Sequence, residues 1–404
     1  MELSTDQLLE YVTPERRPLF FGVTGSIVAR LNFAQADVIV IECSNKKFLV
    51  APITHSHQDR RATAGEGASC QLVNAEPPAD SYFEWIWLDT QSYSKETAPG
   101  VDQSNDSVIL DRKAIIKWQL FAEPSFGATK ELCLAKNNFE FSPKLLGQLW
   151  WTDKQGARRL LASVNSFIEN AEDGWTWFPK LLSSEGTSTQ DIEKIASITA
   201  QMHRNFRQLG MGFQTQEITQ TFVDAFEKQR DRVYSLNAEN IDDQIRQRVA
   251  QALDSLSKLV GLATQAFHGD FHVGQILKQG DGTTYVIDFD GDPLQQEFEQ
   301  SNLKPVIFDV ASMMCSIMHA GVVSIKYGAD PEIVSRNTST QLKAFINRYQ
   351  LEASHELEPD SLRIIWDVIW LLEIRELDYA NQFLERWKYA PLGALQYLKE
   401  HDGR

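Results

Sequence analysis

The chain has 404 residues, 43% of them hydrophobic and 23% charged, the profile of an ordinary globular protein long enough for two or three cores. A formal net charge of -16 argues against nucleic acid as a partner, because phosphate backbones are gripped by clustered Lys and Arg, so an anionic ligand must find a local positive site. Cys43, Cys70, Cys133 and Cys315 are scattered without the paired spacing of a zinc site or disulfide framework. With no basic segment leading into an apolar run and no expected span of ~18 apolar residues, the chain reads as a cytoplasmic protein with reduced thiols. It is expected to act as a monomer on a small molecule, away from membranes.

Residues 8 to 99 carry short apolar bursts: Phe20-Phe21, Ile27-Val28-Ala29, Val38-Ile39-Val40-Ile41 and Phe48-Leu49-Val50. Gly and polar turns separate them, the pattern of an antiparallel sheet. Residues 57 to 80 are small and polar and read as an exposed loop; Gly65-Glu66-Gly67 within it lacks the third glycine, strand and helix of a phosphate loop. Val108-Ile109-Leu110 and Ala114-Ile115-Ile116 flank the charged turn Asp111-Arg112-Lys113, which predicts a hairpin. A helix is expected over about 125–136, then a second hairpin through Leu149-Trp150-Trp151 and Leu160-Leu161-Ala162.

Past Asp173 the apolar period changes from two to about 3.6. Ile192, Ile195, Ala196, Thr199 and Met202 form one face, with Ser188 or Thr189 placed to cap it; Ile241, Ile245, Val249, Leu253, Leu256 and Val260 repeat the pattern over a longer helix. The chain from Val310 onward is again helical in pattern. A strand-rich half joined to a helical half describes a bilobal α+β protein.

The chemistry concentrates in His268-Gly269-Asp270-Phe271-His272-Val273-Gly274-Gln275, followed by Ile287-Asp288-Phe289-Asp290. Kinase-like phosphoryl transfer needs one Asp to accept the proton of the attacking hydroxyl, an amide to hold a metal, and a later Asp to bridge metal and phosphate. Asp270, Gln275 and Asp288 fit those roles, with Asp290 as the second carboxylate near the metal and His272 touching the transferred group or orienting the loop. Lys117, at the end of an apolar strand, suits the α- and β-phosphates, and Glu131 on the following helix is placed to pair with it. Ser104, Asn105 and Ser107 offer small donors to phosphate just before the hairpin, or form a plain surface turn.

Toward the C-terminus, Glu373 and Glu376 lie three apart and Asp378 and Gln382 four apart, so each pair shares a helix face; Trp366 and Trp370 are one turn apart. Carboxylates beside tryptophan suit a sugar or amino-sugar site, and equally a solvated charged face with Trp in the core.

This ordered set, together with Phe139 and Leu145-Leu146-Gly147, Thr199-Ala200-Gln201-Met202-His203 and Phe308-Asp309-Val310-Ala311, resembles bacterial maltokinases and the related actinobacterial glucosamine kinases. Both belong to the aminoglycoside-phosphotransferase-like kinases. The resemblance implies a bilobal protein-kinase-like fold with a cap over residues 1–98, an N-lobe and hinge over 99–172 and a C-lobe over 173–404. It implies ATP- and Mg2+-dependent phosphorylation of a sugar acceptor, at the anomeric hydroxyl of maltose or the 6-hydroxyl of glucosamine. Phe167, Ile168, Glu169 and Asn170 would be the hinge whose backbone meets adenine, and Asp309 a loop-orienting carboxylate.

Three departures stand out. Asp106 replaces the Thr usual in maltokinases; Asp288-Phe289-Asp290-Gly291-Asp292-Pro293 has shorter acids than the family's Asp-Phe-Glu-Gly-Glu-Pro; and residues 371–382 replace the C-terminal signature. Two other readings remain at this level. One is a nucleotide-binding pseudokinase, which Asp106 keeps open, and the other a metal-dependent hydrolase built on His268, His272, Asp288 and Asp290.

Overall fold

The computed structural model describes residues 2–75, 82–89, 91–99, 106–291, 303–353 and 361–401. The chain forms two compact units, residues 1–135 with 143–170, and residues 136–142 with 171–404.

The first unit is built on one ten-stranded sheet. Its elements in order are β1 (Glu2–Leu3), α1 (Thr5–Leu9), β2 (Gly25–Asn32), β3 (Ala36–Cys43), β4 (Phe48–Thr54), α2 (Ala68–Asn74), β5 (Phe83–Trp87), β6 (Glu96–Thr97), β7 (Asp106–Leu110), β8 (Ala114–Glu123), α3 (Phe126–Lys136), β9 (Leu145–Thr152) and β10 (Arg158–Ser166). The strands run in the order β1-β2-β3-β4-β8-β10-β9-β5, with β7 also pairing β8 and β6 pairing β7. Strand β3 shows why the apolar bursts fold this way. Side chains alternate across a strand, so Val38 and Val40 enter one core while Ile39 and Ile41 enter another on the opposite face. A strand buried on both faces reads as a continuous apolar run.

Two expectations for this unit are corrected. Phe20 lies at the end of a 3-10 turn, Pro14–Phe20, fully buried against Phe121 with ring centroids 5.6 Å apart, where the sequence suggested a strand. Two prolines in that turn explain the difference, since they fix φ and remove ladder donors. The supposed loop over 57–80 contains α2, whose Ala68, Cys70, Leu72 and Val73 are buried. The Gly65-Glu66-Gly67 turn that precedes it donates the Gly65 and Gly67 amides to one Glu96 oxygen (3.0 and 2.9 Å), and Cys70 donates to the other (2.8 Å). A glutamate of the chain itself therefore fills that anion-binding turn.

The second unit is mainly helical: β11 (Ala171–Asp173), α4 (Gly174–Leu182), α5 (Gln190–Phe206), β12 (Met211–Phe213), α6 (Gln216–Leu236), α7 (Asp243–Ser255), β13 (Ala263–Gln265), β14 (Ile276–Gln279), β15 (Thr284–Val286), α8 (Ile307–Lys326), α9 (Pro331–Glu352), α10 (Ser361–Phe383) and α11 (Tyr389–His401). The expected face of α5 is buried throughout, and the Ser188 hydroxyl accepts the Gln190 N–H at 3.2 Å. Helix α7 is shorter than its periodicity suggests; Val260 lies beyond it and is exposed.

Helix α8 is the one described helix whose length and composition would let it cross a membrane, in contrast to the expectation of no such stretch. In the fold, 83% of its apolar window is buried inside the protein, and it carries the internally bonded polar residues Asp309, Ser316 and His319.

Candidate active site

In the first unit, strand register assembles a polar row across the sheet. Lys117 on β8 lies opposite Ser107 on β7 and Ser163 on β10, and Ser163 lies opposite Gln148 on β9. Cross-strand partners share a face, so these four side chains line one side of the sheet. Helix α3 covers the same side, where the Glu131 carboxylate accepts from Gln148 (3.3 Å) and Asn165 (3.1 Å). Sheet and helix thus bring Lys117 and Glu131 to one face.

Asp106 is one residue from Ser107 and points to the opposite face. There the buried Arg61 donates from Nε to its carboxylate at 2.7 Å. The departure that kept a pseudokinase reading open is therefore a neutralised acid on the side of the sheet away from Lys117. Ser104 and Asn105 lie outside the described residues.

Phe167 donates its N–H to the Lys113 carbonyl (2.8 Å), Ile168 is half-buried, Glu169 pairs with Arg112, and Asn170 adopts a left-handed φ of 54°. The first unit ends at Asn170.

In the second unit, the loop 268–275 is held from beneath by α8. Asp309, fully buried, accepts from the His268 N–H (2.7 Å), the Gly269 N–H (3.0 Å) and His203 Nε2 (2.9 Å). His203 in turn meets the Tyr349 hydroxyl through Nδ1 at 2.8 Å. Burial opposes the Asp309 charge, but the hydrogen bond and proximity of His203, with His268 and the Gly269 amide, hold its carboxyl below the ordinary range. Ser316, also on α8, accepts the Val273 N–H at 3.0 Å. Gly269, at φ 95°, lets the loop pass Gly291 so closely that a Cβ there would sit 3.2 Å from its Cα.

This scaffold presents Asp270, His272 and Gln275 together. The Gln275 amide nitrogen is 3.4 Å from Asp270 Oδ2 and 3.4 Å from His272 Nε2, and His272 Nε2 is 3.7 Å from Asp270 Oδ2. His272 Nδ1 accepts the Gly274 N–H (3.0 Å), so its proton sits on Nε2, the edge turned toward Asp270. Strands β14 and β15 pair Ile276 with Val286. The Ile287 N–H donates to the Gln275 carbonyl (3.0 Å), which extends that register by one pair, and Asp288 follows at a left-handed φ of 63°. Asp288 and Asp290 are exposed.

His268 is not available as a metal ligand. Its Nε2 donates to the Ile287 carbonyl (3.0 Å) and its Nδ1 accepts the Asp270 N–H (3.3 Å), so both nitrogens are used inside the fold. Among the described residues there is no cluster of three His, Cys, Asp or Glu able to hold a metal. The hydrolase reading loses its first ligand. For magnesium, a hard cation that prefers oxygen, the donors that fit are the Gln275 carbonyl oxygen and the exposed carboxylates of Asp288 and Asp290.

The C-terminal expectations are corrected. Trp370 and Glu373 on α10 are buried in the helical core and cannot touch a sugar. Asp378 is bound by both Nε (2.9 Å) and Nη2 of Arg232, and Gln382 donates to it at 3.0 Å. Of these acids, Glu376 alone is partly exposed, beside Arg375.

Two other tryptophans lie beside the loop instead. The Trp175 ring lies 5.9 Å from that of His272 and meets Trp387 edge-on at 5.5 Å, and Trp387 meets His319 at 6.0 Å. Both tryptophans are half-buried. Trp387 lies in a single turn of 3-10 helix without a repeating pattern, so no spacing rule could find it.

A family model described as the phosphotransferase enzyme family (APH) matches residues 141–357, more than half of the chain. The chain belongs to this phosphotransferase family. Among similar proteins are a glucosamine kinase of Mycolicibacterium smegmatis, 27% identical over 372 residues (84% of this chain, 90% of the relative), and one of Streptacidiphilus jiangxiensis, 29% identical over 359 residues (82% and 81%). A solved glucosamine kinase in complex with glucosamine, ADP and inorganic phosphate superimposes with a TM-score of 0.79 at 24% identity, covering 93% of each chain. That likeness establishes the protein-kinase-like α+β fold of this phosphotransferase. ATP as the phosphoryl donor accords with the family.

Proposed function

We propose that this phosphotransferase is an ATP- and magnesium-dependent glucosamine kinase, transferring the γ-phosphoryl group to the 6-hydroxyl of the amino sugar. The observation that carries the reading is the clamped loop 268–275, in which Asp309 fixes the backbone so that Asp270 stays beside His272 and Gln275. The names of the two curated relatives and the bound glucosamine and ADP of the solved neighbour support the choice of acceptor. So does the partly exposed pair Trp175 and Trp387, since aromatic faces pack against sugar rings and attract an ammonium group.

In this reading Asp270 orients the sugar hydroxyl and accepts its proton as the hydroxyl attacks in line. His272, whose Nε2 lies 3.7 Å from that carboxylate, steadies it. Lys117 holds the α- and β-phosphates, with Glu131 on the same face of the sheet, while Ser107 borders them and residues 167–170 meet adenine. Gln275, Asp288 and Asp290 would hold magnesium, which when bound neutralises charge on the phosphoryl oxygens. Four free, buried cysteines suit a reducing cytoplasm, and we expect a monomer.

The test is ADP release by the purified protein over glucosamine, glucose, maltose and aminoglycosides. Magnesium-dependent turnover that requires glucosamine is expected, with kcat falling ~10²- to 10⁴-fold in Asp270→Ala while nucleotide binding persists. Tight nucleotide binding without turnover on any acceptor would instead identify a pseudokinase.

A further inference from the structure

Beneath the tryptophans lies a buried pair that the proposed chemistry does not use. His319 on α8 and Glu373 on α10 meet at 2.7 Å between Nε2 and Oε2, with side chains 6% and 0% exposed. The other Glu373 oxygen, Oε1, is buried with no nitrogen or oxygen donor among the described residues; only the weakly donating Cys315 thiol faces this carboxyl. A sealed ion pair costs desolvation, and leaving one carboxylate oxygen unmatched adds to that cost, so the arrangement is a poor choice for stability alone.

Its position suggests a different use. The His319 ring contacts Trp387 at 6.0 Å with planes 86° apart; Trp387 contacts Trp175 at 5.5 Å and 84°. Trp175 lies 5.9 Å from the His272 ring, whose Nε2 is 3.7 Å from Asp270. Trp175 has little room to shift, because even a Cβ on Gly274 would fall 2.5 Å from its indole nitrogen. Both contacts of Trp387 are edge-to-face, a geometry sensitive to ring tilt, and the Trp175–His272 pair is tilted at 34°. A change in His319 is therefore passed to Trp387 and then to the aromatic surface beside the reacting carboxylate.

We infer that His319 and Glu373 are a positioning pair for the acceptor, acting through Trp387 to set the aromatic wall on which the amino sugar is held. The inference rests on the glucosamine kinase reading. Glu373 orients the imidazole through Nε2, the imidazole fixes the tilt of Trp387, and that tilt with Trp175 sets how the sugar ring meets Asp270. Neither member of the pair touches the sugar.

The experiment uses the full chain and compares wild type, Glu373→Gln, His319→Gln, Trp387→Phe and the double variant Glu373→Gln with Trp387→Phe. KM and kcat are measured for glucosamine and for ATP. Glu373→Gln and His319→Gln are each expected to raise the glucosamine KM about five- to tenfold, the scale of losing one edge-to-face aromatic contact, with kcat within about threefold and the ATP KM within about twofold. Because the pair acts through Trp387, the double variant should be no worse than Trp387→Phe alone. An unchanged glucosamine KM, or effects that multiply in the double variant, would overturn the inference, as would a failure of both pair variants to fold. If wild type turns over no glucosamine at all, it is the underlying reading that falls, and this inference with it.

Discussion

Asp309 and Glu373 are both sealed inside the helical unit, each beside a histidine, yet the protein solvates them differently. Asp309 receives three donors, two of them backbone amides of the loop 268–275, and its carboxyl is held below the ordinary range despite complete burial. Glu373 receives one strong donor, His319, and only the weak Cys315 thiol besides, and burial pushes its carboxyl above the ordinary range although both pull the other way. Burial alone does not decide the state of an acid; the count of donors does. A fully matched carboxylate makes a rigid clamp, whereas a half-matched one stays sensitive to what happens at its partner.

The clamp should show the largest effect. Asp309→Ala removes the acceptor for the His268 and Gly269 amides and for His203 together, leaving buried donors unpaired. Loss of about 3–5 kcal/mol is expected, a fall in Tm on the order of 10 °C for a unit of this size, measured by calorimetry. kcat should fall with it, since Asp270 is carried by the freed backbone. A variant that kept both stability and kcat would remove the distinction drawn between the two acids.

How far these roles were legible in the sequence follows from the same contrast. Asp270, Gln275 and Asp288 sit in one short loop and one hairpin, so local spacing brings them together, and Lys117 and Glu131 are linked by a single strand-to-helix step. The acids of α10 were legible only as a helix face. Asp378 does lie one turn from Gln382, which donates to it, but its main partner Arg232 comes from α6, far away in sequence. His319 is equally remote from Glu373, and no periodicity links them. Helix α2 reads as loop because its seven residues are set among small and polar ones, and its buried Leu72 and Val73 find their packing only in the fold. Asp106 looked like a defect because Arg61, which neutralises it, is brought near only by the sheet.

The two acids should also mark opposite limbs of a stability–pH profile. The lowered Asp309 carboxyl contributes stability above its unfolded value near 3.8, lost as pH falls through the folded one. For His319, burial lowers the pKa, but Glu373 and then Glu376 outweigh it, so its folded value lies above 6.5. Its contribution is complete below 6.5 and lost as pH rises through the folded value; the raised Glu373 carboxyl has the same sign above 4.5. Cys315, whose thiol is raised chiefly by burial, faces the same pair and stays neutral over this range. The Tm gap between wild type and Glu373→Gln should therefore narrow from pH 6 to pH 9. The gap to Asp309→Asn should narrow on the acid side, below about pH 4. A Glu373→Gln gap constant with pH would show that the pair is not charged.

The smallest effect separates the clamp from what lies behind it. Tyr349 closes the chain Tyr349–His203–Asp309 from α9, with its hydroxyl 2.8 Å from His203 Nδ1 and its ring fully buried. Tyr349→Phe keeps the ring and deletes one hydrogen bond, so about 1 kcal/mol of stability should be lost, seen as a shift in denaturation midpoint at unchanged m-value. Asp309 retains all three of its donors in this variant, and kcat should stay within about twofold because the loop backbone is still held. A drop in kcat comparable to that of Asp309→Ala would mean that the orientation of His203, rather than the amides of His268 and Gly269, is what keeps Asp270 in place.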